Sequence, residues 1–205
     1  MKKLMMSLMT LIGFSGFAQD DAVLQNAVAR LDKAAAVKEY EALEKEFAAM
    51  AASKKTAWLP YYYAALAQTW VGWNPATKDK DGNSAKINAY LAKAEAIEKN
   101  AELYAVENMS ATQQMLVDPQ SRWMTYGKTA GEALQKGLQA DPNNPRLYYL
   151  QGMSLFGTPP QFGGGKDKAK PLFEKSVSLY KAAHPEALAP TWGQKQAEDM
   201  LAQCN

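Results

Sequence analysis

The stretch Ala133–Pro145 reads ALQKGLQADPNNP. Its tripeptide Leu134-Gln135-Lys136 has three counterparts: Leu43-Glu44-Lys45, Leu91-Ala92-Lys93 and Phe173-Glu174-Lys175. Their first residues are separated by 48, 43 and 39 positions. Each tripeptide lies in a helical pattern that follows another apolar helical pattern. A helix pair recurring at this spacing predicts an α-helical repeat protein, in which no unit hides its apolar face without a neighbour. The segment Asp141–Pro145 punctuates one such unit, because proline lacks the amide donor and pushes the residue before it out of the helical region. Pro145 is then placed to open the next helix.

The 205 residues are 47% hydrophobic and 21% charged, which suits one domain with a sizeable core. The first eighteen residues read differently. Met1-Lys2-Lys3 is basic, Leu4 to Phe17 is apolar, and Gly16-Phe17-Ala18 supplies small residues at a cut after Ala18. That pattern predicts a secretory signal peptide over 1–18 and a mature domain over 19–205, periplasmic or secreted. Without Lys2 and Lys3 the mature chain carries 21 residues of each charge sign, which gives no electrostatic case for nucleic acid. The body has no apolar run long enough to span a bilayer. Cys204 is the single cysteine, so no internal disulfide is expected and packing must hold the fold.

Outward from the repeat register, periodicity predicts helices over 20–33 and 34–54, with a break near Ala34–Ala36. Thr56 is read as the cap of a helix to Trp70, with Pro60 in its first turn. Gly72–Asn83 is read as a long loop and Ser84 as the cap of a helix to Lys99. Asn100 is placed to cap Ala101–Val117, and Asp118-Pro119 to separate it from 120–140. Pro145 opens a helix to Phe156, and Gly157–Lys166 is a second long loop. Asp167 is read as the cap of 168–182 and Thr191 as the cap of a last helix. The sum is four helix pairs and a terminal helix. Insertions such as the two long loops gather on one face of a solenoid.

The residues at 133–145, followed by Leu147-Tyr148-Tyr149-Leu150-Gln151-Gly152, resemble the end of one tetratricopeptide (TPR) repeat and the start of the next. The likeness is good over 84–182 and weaker over 20–71. No first helix shows the family's Trp–Leu–Gly–Tyr theme intact, and the repeat exceeds thirty-four residues. Trp58-Leu59-Pro60-Tyr61-Tyr62-Tyr63-Ala64-Ala65 and the segment Phe162–Phe173 together resemble exported Bacteroidetes TPR-like proteins without an assigned activity. The Gly-Gly loop is also similar to the TPR subunit associated with TRAP transporters. The resemblance implies an all-α TPR-like solenoid and supplies no catalytic residues.

Other motifs fall short of chemistry. Gly163-Gly164-Gly165-Lys166 has Pro160 and Asp167 where a phosphate loop needs Gly and Ser or Thr, so it is read as a turn with positive φ and close helix packing. Asp79-Lys80-Asp81-Gly82-Asn83 lacks the bidentate glutamate of a calcium loop, with Asn88 in that place. His184 is the one histidine, too few for a zinc site or a histidine-based mechanism. No metal, no cofactor and no enzymatic activity are expected. Lys45, Lys93, Lys136 and Lys175 share a register read as outward and solvated, among neighbouring glutamates.

The aromatic residues carry more information. Three consecutive tyrosines stand about 100° apart around a helix, so Tyr61, Tyr62 and Tyr63 cannot all enter one core. Most aromatics are expected between stacked helices, and some on a groove. The main reading is a non-catalytic scaffold whose concave face, lined by Tyr62, Tyr63, Trp70, Tyr104 and Tyr148, holds a protein or peptide of the cell envelope. The alternative is a small-ligand receptor or transport accessory with a pocket roofed by the long loops.

Overall fold

The computed structural model describes residues 15–53, 56–185 and 187–204, with side chains from Asp21 onward. The signal peptide expected over 1–18 lies, up to residue 14, outside them. The described residues are all-α, with no strand. Their helices are α1 (Ser15–Leu31), α2 (Val37–Ser53), α3 (Trp58–Trp73), α4 (Lys80–Glu95), α5 (Ala101–Met115), α6 (Pro119–Arg122), α7 (Lys128–Ala140), α8 (Pro145–Gly157), α9 (Lys166–Ala182) and α10 (Gln194–Gln203). A π-helical turn, Trp123–Gly127, joins α6 to α7, and a 3-10 turn, Pro160–Phe162, lies between α8 and α9.

The helices pair as α1–α2, α3–α4, α5–α7 and α8–α9, and α10 packs on the last pair. The first helices also touch in succession, α1 to α3, α3 to α5, α5 to α8 and α8 to α10. The repeat register explains why. Leu43, Leu91, Leu134 and Phe173 are all buried, so each second helix drives the same position into the core. Small residues let helices approach both between pairs and within one. A Cβ on Gly137 would stand 2.7 Å from Leu147, and one on Gly152 would stand 2.6 Å from the Phe173 ring.

Several helix starts differ from the reading of the sequence. Gly72 does not open a loop. It continues α3, and its lack of a Cβ leaves room for the Gln113 side chain of α5 and the Asn83 side chain of α4, which bond Thr69 and Gln68. The loop therefore shrinks to 74–79, and Asp79 caps α4 by accepting from the Gly82 amide at 2.8 Å. Ser84 is buried and its hydroxyl donates to Ser110 O at 3.3 Å. Ala57, not Thr56, precedes α3. Gly165 and Gly193, both at positive φ, precede α9 and α10 in place of Asp167 and Thr191. Asn100 caps α5 and Asn144 caps α8, each by its side-chain oxygen. The break between the first two helices falls at 32–36.

Candidate functional site

The inner wall formed by α3, α5 and α8 is occupied by the chain itself. Tyr62 and Tyr63 are 0% and 1% exposed, in the core rather than along an open groove. Above them runs the later part of the connection from α9 to α10, residues 187–193. The Tyr63 hydroxyl donates to Leu188 O at 2.7 Å. The Trp192 indole N–H donates to the Tyr62 hydroxyl at 2.8 Å, and its ring meets Trp70 edge-on at 5.8 Å. Thr191 donates to Asp32 at 2.9 Å, which ties the strap to the end of α1.

A buried ion pair anchors this strap. Arg146 Nη1 lies 3.0 Å from Glu102 Oε1, its other terminal nitrogen donates to Pro190 O, and its guanidinium lies over the Trp192 and Tyr180 rings. Glu102 also accepts from Asn144 at 2.6 Å and from the Tyr62 hydroxyl at 3.3 Å. Burial works against the Arg146 charge, yet Glu102 and the facing tyrosines hold its pKa above the ordinary value. Burial, then repulsion from Glu102, pushes the Tyr62 hydroxyl well up. The cluster thus holds a fixed charge and neutral phenols, with no nucleophile among them. Its contacts tie residues 188–192 to α3, α5 and α8.

Trp70, Tyr104 and Tyr148 are half-buried. The structure does not bring the last two onto Trp70. Each instead lies under a register lysine of its own pair: Lys136 lies 6.0 Å from the Tyr104 ring and Lys175 5.9 Å from the Tyr148 ring. Lys93 sits likewise over Tyr61. The register lysines expected to stand free in solvent thus cover tyrosine faces in three pairs, an attraction of about 0.5–1 kcal/mol at exposed sites.

An open site lies elsewhere. A cleft of about 490 Å³ separates α7 from α8, lined by Gly131, Leu134, Leu138 and Leu155 with Gln135, Gln139, Gln151 and Ser154 at its edges. It forms because α7 and α8 lie loosely together while α5–α7 and α8–α9 pack tightly. Gly131 deepens it, since a Cβ there would meet no atom within 4 Å. Sequence reasoning missed these residues because Leu134 and Leu138 follow the core pattern of a second helix. The one signal was Gly131, a helical glycine that serves no turn. A shallower hollow of about 350 Å³ lies between α1 and α2 at Ala22, Val23, Asn26 and Glu46.

No family model matches the chain, and neither does any curated protein. Among solved structures, the HusA haemophore from Porphyromonas gingivalis superposes with a TM-score of 0.83 at 39% sequence identity, over 94% of this chain and 95% of that one. The chain belongs to the HusA haemophore family. Membership overturns the expectation of a concave scaffold for a protein or peptide of the envelope. HusA is a haemophore, so the family likeness favours the small-ligand alternative, and in this chain the wall of α3, α5 and α8 is covered by the strap. The described residues contain no helix long and apolar enough to cross a membrane.

Proposed function

We propose that this protein is an exported carrier that binds a haem-class macrocycle in the cleft between α7 and α8. The observation that carries the reading is the 39% identity to a haemophore along nearly the full length of both chains. The cleft supports it. Its volume of about 490 Å³ falls within the ordinary range for small-molecule sites, roughly 300–1,000 Å³. Leu138 and Leu155, both half-buried, offer apolar contact to a flat ring, and Gly131 leaves room for it.

The lining residues include no His, Cys, Met or Tyr, the side chains that usually hold haem iron. His184 stands exposed on the strap at the far end of α9. Recognition in the cleft therefore rests on the macrocycle's faces and edges rather than on its metal. The protein acts as a binder with no chemical step, and the signal peptide over 1–18 sends residues 19–205 out of the cytoplasm.

Absorbance titration with haem tests the reading. A saturable shift of the Soret band is expected with the native protein, and it weakens at least tenfold in Leu138→Asp, which places a charge on the cleft wall. A native protein that leaves the spectrum of free haem unchanged contradicts the proposal.

A further inference from the structure

The two helices that wall the α7–α8 cleft carry few charges, and none of those charges lines it. α7 bears Lys128, Glu132 and Lys136, and α8 bears Arg146. Lys128 and Glu132 pair with each other at 3.8 Å, one turn apart on the exposed surface. Lys136 lies over the Tyr104 ring of α5, 6.0 Å from its centroid. Arg146 is held by Glu102 and by Pro190 O of the strap. The side chains that do line the cleft are aliphatic, amide or hydroxyl.

The lining is also graded by depth. Leu138, Leu155 and Gln151 are half-buried, whereas Gln135, Gln139 and Ser154 are exposed at the edges. An amide or a hydroxyl donates or accepts as its partner requires, but it supplies no counter-charge. A Cβ on Gly131 would meet no atom within 4 Å, so the α7 wall leaves space beside its leucines. The cleft is an apolar slot with a neutral polar rim.

A flat macrocycle meets such a slot unequally with its edges. Haem carries both of its carboxylates on one side of the ring and short apolar groups on the opposite side. Taking an ionised carboxylate out of water costs far more than taking out a neutral polar group, unless a cation receives it. No cation stands in the lining to do so. The apolar side of the ring has no such cost, and its contact with aliphatic walls is favourable in proportion to the area covered.

We propose that the cleft selects macrocycles by a carboxylate-free edge, which enters between Leu138 and Leu155 while the carboxylates stay in water beyond the rim. This deepens the haem-class reading above and rests on it. A macrocycle with a carboxylate on each of its four pyrroles offers no such edge, so the site rejects it. Binding makes no ion pair, so added salt, which screens exposed charge pairs, leaves the affinity nearly unchanged.

Absorbance titrations of residues 19–205 at pH 7.5 test the selection with two metal-free probes. Protoporphyrin has two carboxylates on one side, and coproporphyrin has one on every pyrrole. Coproporphyrin should bind at least about tenfold more weakly. Protoporphyrin affinity should change by less than about threefold between 50 and 500 mM salt. Gln139→Lys sets a cation on the exposed rim. It should narrow the gap between the probes by about two- to fivefold at 50 mM salt and lose that gain at 500 mM. If bulk rather than charge excludes coproporphyrin, the gap will not move in Gln139→Lys, and that result overturns the selection. Equal binding of the two probes by the native chain, or a tenfold loss of protoporphyrin affinity at high salt, would also overturn it and leave the haem reading intact. A native chain that binds neither haem nor protoporphyrin removes both.

Discussion

The indole N–H of Trp192 reaches the Tyr62 hydroxyl at 2.8 Å, joining positions 130 residues apart. That contact closes the wall formed by α3, α5 and α8, where the sequence alone suggested an open concave face. The two hollows described above, between α7 and α8 and between α1 and α2, lie away from that wall.

Removing the anchor of the strap should cost stability. Arg146→Ala strands Glu102 in a site where both side chains are largely buried, and loss of one partner of such a pair costs about 3–5 kcal/mol. Urea unfolding should show it as a fall in midpoint. The double change Arg146→Met with Glu102→Gln should recover part of the loss, since no lone charge remains.

The two helical glycines of the last pairs should respond oppositely. Gly152→Ala drives a methyl into the Phe173 ring and should destabilise by about 1–3 kcal/mol. Gly131→Ala meets open space and should gain up to about 1 kcal/mol of helix propensity. Gly131→Leu should keep the fold and lower haem affinity by filling the cleft. Thermal unfolding beside a haem titration separates the two effects.

Much of the fold was legible in the residues. Leu43, Leu91, Leu134 and Phe173 mark buried positions of four second helices, and Pro145 with Asn144 opens α8 where the turn chemistry places it. Caps were harder to read where a glycine did the work. Gly72 continues α3 for the sake of close packing, and Gly165 and Gly193 start helices through positive φ, so the nearby Asp167 and Thr191 were misleading. The site was least legible. Tyr62 and Tyr63 look like a lining until Leu188 and Trp192 are seen to cover them, and no local pattern announces that return. The cleft arises from the loose fit of α7 on α8, which is a property of neither helix alone.

Metal-free macrocycle should bind nearly as well as haem, because no iron-ligating side chain lines the cleft. Competition between the two, followed by tryptophan quenching, should give affinities within about a few-fold of each other. A loss of a hundredfold or more without iron would point to a metal bond made by the protein.

Glu107 carries a pH signature. Burial, then repulsion from Glu95 and Glu132, outweighs the attraction of Lys136 and raises its carboxyl pKa. A raised carboxyl favours the folded state when protonated. That contribution is complete below the unfolded pKa, near 4.5, and is lost as pH rises through the folded value. Glu107→Gln should therefore raise the melting temperature at pH 7 by about 1–3 °C, with the gain fading toward pH 4. Paired thermal melts at the two pH values check the sign.

The most direct test of the account is the stoichiometry and spectrum of haem bound by residues 19–205. The account predicts one saturating haem per chain, with a Soret shift that is lost together with binding when the half-buried Leu138 and Leu155 are both changed to Asp while the helices persist. Equal haem binding by that double variant, or none by the native chain, would contradict it.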